Sequence, residues 1–264
     1  MQTQSSIAVL FAAGCLAACA GYDATPPEPK WESIFDGETL SGWTPKIAGQ
    51  PLGEDAGNIF RVEDRQLVVS YDDYEAFSSE FGHLFYDEPL SHYRLRVTYA
   101  FQGAQVPGGP SWAFMNSGVM VHAQAADSMR VDQPFPVSVE AQLLGRSDDL
   151  PTRTTANMCS PGTHVVIEGT FTKSHCVNST TPARKADEWT VFELEVRGGD
   201  VISLSVDGHE SFRLTAPVYD AADPDVQRLG LSGPVTEGYI ALQAESHGVL
   251  FKDIELLRLD PADR

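Results

Sequence analysis

A chain of 264 residues with 42% apolar content is long enough to bury one large core and too apolar for wholesale disorder. Its 37 acidic against 18 basic residues leave a formal charge of −19. Such a surface repels phosphate backbones and anionic bilayers, which makes nucleic acid a poor partner and solubility the simplest use of the acidity.

Residues 7–18 form an apolar run too short to span a bilayer and read as the h-region of an export signal. The run ends Leu16-Ala17-Ala18-Cys19, followed by Ala20 and Gly21. This is similar to a bacterial lipoprotein signal, in which Cys19 becomes the lipidated first residue. Residues 1–6 contain no Lys or Arg, so the amino terminus alone supplies positive charge. An ordinary secretory signal that happens to contain Cys19 is the alternative. Residues 19–30, with Pro26, Pro27 and Pro29, read as a stiff tether between lipid and domain. The expectation is an exported protein, lipid-anchored in the cell envelope (periplasm or outer membrane), with one domain over residues 31–259.

Turn signals Asp36-Gly37 and Ser41-Gly42 lie between Trp31 and Trp43, whose rings pin this end onto a core. Residues 60–70 read as two short strands around Glu63-Asp64-Arg65, and residues 84–89 as another that stops before Pro89. Residues 92–101 are the cleanest strand, with Tyr93, Leu95, Val97, Tyr99 and Phe101 on one face. After a Gly/Pro loop, Asn116-Ser117-Gly118 opens a strand through His122. Its alternation sends Val119 and Val121 one way, and Asn116, Gly118, Met120 and His122 the other. A polar loop over residues 123–136 follows.

Residues 137–144 are the organising stretch. Val139, Ala141 and Leu143 alternate with Ser138, Glu140 and Gln142, so a carboxylate and a carboxamide share one face. Residues 239–247 repeat the arrangement, with Ile240, Leu242 and Ala244 opposed to Gln243, Glu245 and His247. Two strands each presenting Gln and Glu predict one polar face able to hold a polyhydroxylated ligand. Residues 189–197 alternate again, residues 201–206 lead into the hairpin turn Asp207-Gly208, residues 212–238 look irregular, and residues 249–259 close the chain.

Of four cysteines, Cys15 and Cys19 fall in the signal. Cys159 and Cys176 remain in the domain, and export makes a disulfide between them the default, worth about 3 kcal/mol in the chain-entropy model. A metal site from Cys159, His164, His175 and Cys176 competes, but adjacent His175 and Cys176 do not match zinc spacing. No metal and no cofactor are predicted, although a divalent cation stays open. Many short strands with Gly/Pro punctuation and no long helical period predict an all-β sandwich or barrel.

Several segments, taken in order, resemble the 3-keto-disaccharide hydrolase domain family. They are Ile34-Phe35-Asp36-Gly37 with Leu40, Gly42 and Trp43; Asn116-Ser117-Gly118-Val119-Met120-Val121; Val139-Glu140-Ala141-Gln142-Leu143-Leu144; and Gly238 to Gln243 followed by Val249 to Ile254. The resemblance covers nearly all of the chain after the tether. It implies a concanavalin-like jelly-roll β-sandwich acting on sugars oxidised at carbon 3. The chain departs at His122, where many members carry Arg.

A ketone at C3 acidifies the C2 proton, so a base can remove it and the glycosidic oxygen at C1 can leave by β-elimination, with water completing hydrolysis. The route needs a base, an acid and donors at the ketone oxygen. Glu140, Glu245, His122 and His247 are the acid–base candidates, with Glu140 as base or substrate anchor. Asn116, Gln142 and Gln243 can hold ketone or hydroxyls, Trp112 can stack on a sugar, and Arg153, Asn157 and His175 border the site. Each histidine has a structural reading of equal weight, and Asn116-Ser117-Gly118 has one as a turn. The competing function is a carbohydrate-binding module without chemistry, since fold does not fix function. A retaining glycosidase of the Glu-x-Asp-x-x-Glu pattern is disfavoured because Gln142 and Gly145 stand where its acids would be.

Overall fold

A computed structural model describes residues 30–262. Cys15, Cys19, the export signal and the tether up to residue 29 lie outside the described residues. The strands are, in order, β1 (Glu32–Ser33), β2 (Trp43–Ile47), β3 (Phe60–Glu63), β4 (Gln66–Val69), β5 (Gly82–Tyr86) and β6 (His92–Gln102). Then come β7 (Asn116–Ala123), β8 (Val139–Leu144), β9 (Asn157–Cys159), β10 (Thr163–Ile167), β11 (Thr170–Thr172) and β12 (Cys176–Val177). The chain ends with β13 (Thr190–Arg197), β14 (Val201–Val206), β15 (His209–Tyr219), helix α1 (Pro224–Leu229), β16 (Tyr239–Ala244) and β17 (Gly248–Arg258).

Two antiparallel sheets pack as a jelly-roll sandwich. One runs β11-β10-β15-β14-β13-β6-β17-β4-β3, with β1 added beside β17; the other runs β12-β9-β8-β7-β16-β5-β2. The alternating apolar sets meet between them: Tyr93, Leu95, Val97, Tyr99 and Phe101 from β6 share one buried cluster with Val119, Val121, Val139, Ala141, Leu143, Ile240 and Leu242. Fixing these sets inward forces the polar partners of β8 and β16 to the outer face of the seven-stranded sheet, because the side-chain period is two. Cys159 and Cys176 are disulfide-bonded, joining β9 to the edge strand β12.

Some expectations fail for local reasons. Residues 212–238 are not irregular throughout: β15 runs to Tyr219 and α1 follows it. Pro217 is tolerated because β14 pairs with β15 only as far as Leu214, so no ladder bond is needed from Pro217 on that side. Helix α1 is under two turns long, too short for a periodic signal. Its start is set by Asp223, whose side chain accepts from the Asp225 and Val226 amides, and its end by Gly230 at φ 66°. Strand β2 was hidden by Pro45, which an edge strand accepts. Strands β9, β10 and β11 lie in the cysteine-closed segment, to which the sequence pattern assigns no element. The strand expected to reach residue 247 stops at Ala244.

Candidate active site

Register on the outer face decides which side chains meet. Glu140 on β8 lies opposite Met120 on β7, and Gln142 lies opposite Gly118. Leu242 pairs with Val119, which brings Gln243 beside Gly118, and Gln243 in turn faces His83 on β5. Lys46 on β2 faces His83, and Asn157 on β9 faces Gln142. One polar row therefore crosses the sheet: Lys46, His83, Gln243, Gly118, Gln142, Asn157.

Gly118 is the opening in that row. A methyl group built on it would stand 2.6 Å from Glu140 Oε1 and 3.1 Å from Gln243 Oε1. The Glu140 carboxyl thus leans across β7 through space that any other residue would fill. Glycine inside a strand marks such a close approach. Glu245, just beyond β16, joins this group, and its carboxyl feels both Glu140 and Arg153.

Burial makes these groups chemically unusual. Glu140 is 6% exposed and Glu245 3%. Burial pushes the Glu140 carboxyl up to about 8. Burial, and then the Glu140 charge, push Glu245 well above the carboxylate range, against the opposing pull of Arg153. Two buried carboxyls this close do not both ionise at neutral pH. Around them, among the described residues, Gln243 has neither amide atom hydrogen-bonded, and Asn116 Oδ1 and Glu245 Oε2 are also unpartnered. A buried polar atom left so costs about 1–3 kcal/mol, so this cluster marks a place where water or a polar ligand completes the bonding.

Asn116 Nδ2 donates to the Trp112 carbonyl at 3.4 Å, and Arg153 Nη2 donates to the same oxygen at 3.3 Å. Arg153 also holds the carbonyls of Phe114 and Gly145, so one guanidinium fixes the turn that carries Trp112. The Trp112 indole is 52% exposed and stacks flat on Phe81, with ring centres 5.8 Å apart. Beside Arg153, Leu144, Leu150, Thr154 and Ser179 line an open cavity of about 440 Å³. Asn157 is saturated: it accepts from Thr154 Oγ1 and the Ser179 amide and donates to Gln142 Oε1 at 3.1 Å. It positions Gln142 rather than facing a ligand.

Three expected members stand elsewhere. His122, at φ 52°, sits in a bulge of β7, so its ring leaves the outer face and Nε2 donates to the Gly198 carbonyl at 2.9 Å. Burial lowers it to about 4, which makes it a neutral structural histidine. His247 follows Ser246 at φ 74°, and its ring turns inward to Phe101 and Phe114, at 6.0 and 5.1 Å. Burial and Arg153 hold it at about 4. His175 is exposed in a different cavity, of about 350 Å³, lined also by His164, Lys173 and Asp220.

Sequence reasoning missed Lys46 and His83. Lys46 is buried and gives its ammonium to the carbonyls of Ile47, Gln50 and Val131, which ties β2 to the loop after Met129. That loop carries Phe135, whose ring lies 5.0 Å from Phe81 and 6.0 Å from His83 and roofs this end of the row. The signal for His83 was present in Gly82-His83-Leu84-Phe85-Tyr86, which needed a partner register before its face could be assigned.

Residues 30–257 match the family model described as the 3-keto-alpha-glucoside-1,2-lyase-like domain. No curated protein matches the chain. A solved structure from Parabacteroides distasonis, provisionally assigned as a glycosyl hydrolase, superposes with a TM-score of 0.51 at 20% identity, covering 87% of this chain and 94% of that one. A second such protein from the same organism gives 0.51 at 14% identity, covering 87% and 100%. A Bacillus subtilis protein of unknown function with a galectin-like fold gives 0.52 at 13% identity, covering 87% and 94%. At these identities the likeness concerns the sandwich itself.

Proposed function

The chain belongs to the 3-keto-alpha-glucoside-1,2-lyase-like domain family, and we propose that it cleaves 3-keto-glucosides by elimination across C1 and C2. Glu140, as carboxylate, takes the C2 proton. The electron pair moves into the C2–C3 bond and places negative charge on the C3 oxygen. Collapse of that enolate forms the C1–C2 double bond, restores the ketone and expels the glycosidic oxygen, which takes a proton from Glu245. Water then adds, hydroxyl to C1 and proton to C2, to give the free 3-keto sugar. Stopping before that addition makes the reaction a lyase; completing it makes a hydrolase.

One observation carries this reading: the buried Glu140 carboxyl leans over Gly118 beside the Gln243 amide, which has no partner among the described residues, and the buried Glu245 carboxyl stands near enough to feel its charge. A carboxylate whose proton affinity is raised to about 8 is a stronger base than an exposed one, and its protonated neighbour is an acid at neutral pH. The Gln243 amide, Asn116 and Arg153 supply donors and positive charge for the developing oxyanion. Trp112 and the cavity beside Arg153 receive the aglycone. A module that only binds sugar has no use for buried, raised carboxyls, whereas an acid–base pair requires them. Glu140, Glu245 and Gln243 are buried and Phe135 lies against His83, so substrate entry requires the loops on this face, the Phe135 loop among them, to part.

The reading carries no cofactor and places the domain outside the cytoplasm on a lipidated Cys19. It is tested by incubating the protein with a 3-keto-glucoside, with and without chelator, and following products by NMR. Release of aglycone with an enone or 3-keto-glucose supports it. Sugar binding without product, under both conditions, favours the binding module. A Cys19→Ser variant tests the anchor through loss of radiolabelled palmitate.

A further inference from the structure

His83 is fully buried on the outer face of the seven-stranded sheet, and neither ring nitrogen has a hydrogen-bond partner among the described residues. It faces Gln243 across the β5–β16 ladder, and both amide atoms of Gln243 are unpartnered as well. Donors and acceptors from two adjacent strands are thus left open side by side. Burial, and then the nearby Lys46 ammonium, hold the imidazole neutral, at about 3, so one nitrogen donates and the other accepts. That combination suits a hydroxyl group, which also donates once and accepts.

Position in the row identifies which hydroxyl. His83 and Glu140 stand on β5 and β8, with β16 and β7 between them. At about 4.8 Å per strand those backbones are roughly 14 Å apart, with Gln243 and Gly118 between them and the Glu140 carboxyl leaning over Gly118. With the Phe135 loop parted, that span suits a single pyranose. With C2 held at Glu140, the ring atom across the pyranose is C5, whichever face of the sugar is presented. The substituent at C5 of a hexose is the hydroxymethyl group.

We infer that His83, with Gln243, is a specificity-determining residue that receives the C6 hydroxyl of a 3-keto-hexoside and so selects hexosides over pentosides. The inference rests on the elimination reading for the placement of C2 and adds the residue that reads the C6 hydroxyl. His83 belongs to binding and not to proton transfer. What sets its unpartnered nitrogens apart from those of His247, which lies against Phe101 and Phe114, is that they stand on the outer sheet face opposite another unpartnered group, the Gln243 amide.

The experiment compares a 3-keto-glucoside with the matching 3-keto-xyloside, which lacks the hydroxymethyl group, in wild-type, His83→Leu and His83→Asn proteins. It adds NMR titration with 1,5-anhydroglucitol and 1,5-anhydroxylitol, which cannot be cleaved. The wild type is expected to prefer the glucoside by roughly 100-fold in kcat/KM, because the xyloside leaves the buried donor and acceptor of His83 unpaired. His83→Leu should lose that preference through the glucoside alone, with Tm unchanged or raised, and His83→Asn should recover part of it. Undiminished preference in His83→Leu, or a fall in Tm with kcat/KM for both sugars reduced alike, overturns the inference while leaving the elimination reading intact. Wild-type protein that turns over neither sugar but binds the glucitol in a His83-dependent way overturns the elimination reading alone. Absence of both turnover and binding overturns both.

Discussion

Replacing Glu140 by Gln keeps the shape of the side chain and removes its titration. Burial raises the folded-state carboxyl from 4.5 to about 8, and an unfolded chain has it near the ordinary value. Between those two pH values the native protein holds a proton that the unfolded chain has released. Stability therefore falls as pH rises through this window, and it is flat with respect to this group below and above it. At about 1.4 kcal/mol per pH unit, the full loss attributable to Glu140 is of the order of 5 kcal/mol. The amide cannot lose a proton, so the variant lacks this slope. Whatever the new amide costs in unmet hydrogen bonds is the same at every pH and cancels in the comparison. Removing the Glu140 charge also relieves Glu245, which adds to the difference with the same sign. The assay is the urea midpoint of wild type and Glu140→Gln at pH 5 and pH 8.5, with turnover measured in the same buffers. The variant should gain on the wild type by several kcal/mol at the higher pH while turnover drops by about 10²–10⁴. Parallel pH dependences would refute the buried, raised carboxyl, and retained turnover would remove Glu140 from the chemistry.

The other expectations are briefer. Wild-type kcat/KM should climb with pH toward an apparent value near 8, because the base must first lose its proton; a bell centred below pH 6 would contradict this. Gly118→Ala puts a methyl group 2.6 Å from Glu140 Oε1, so turnover should collapse at a stability cost of about 1–3 kcal/mol, separable by enzyme assay and denaturation. His122→Ala removes the bond to the Gly198 carbonyl and should lower stability by about 1 kcal/mol without changing kcat/KM. Cys176→Ser frees β12 from β9 and should destabilise by about 3 kcal/mol, read as a lowered urea midpoint.

The sandwich was legible in the sequence because alternation marks which face of a strand is buried. Tyr93 through Phe101, Val139 through Leu143 and Ile240 through Ala244 all point inward as their patterns indicate. The same patterns located Glu140, Gln142 and Gln243 on the outer face. What they could not carry is any place where backbone geometry breaks the alternation. His122 and His247 were grouped with the acids because period two was extended through residues that in fact bulge or turn at positive φ. His83 and Lys46 were missed for the opposite reason. Their strands are short, Pro45 interrupts one of them, and their relation to Gln243 exists only in the register of three strands distant in sequence.

Asn116-Ser117-Gly118 shows how a local reading and a tertiary one divide. Taken alone, the three residues favour a turn, because each is poor in strand propensity. In the fold they open β7, the strand flanked by β8 and β16, where glycine weakens a strand and needs a reason. The reason lies on both sides of it. The Ser117 hydroxyl donates to the Gln243 carbonyl at 2.8 Å, which fixes β16 against β7, and Gly118 leaves the volume into which Glu140 and Gln243 converge. Asn116 meanwhile grips the Trp112 carbonyl at the rim. Three weak strand formers in succession thus sacrifice local preference to join two strands, clear the space between the Glu140 carboxyl and the Gln243 amide, and hold the Trp112 turn. The local conflict is itself the mark of the site, because a strand that served only the core would have carried valine or isoleucine in that place.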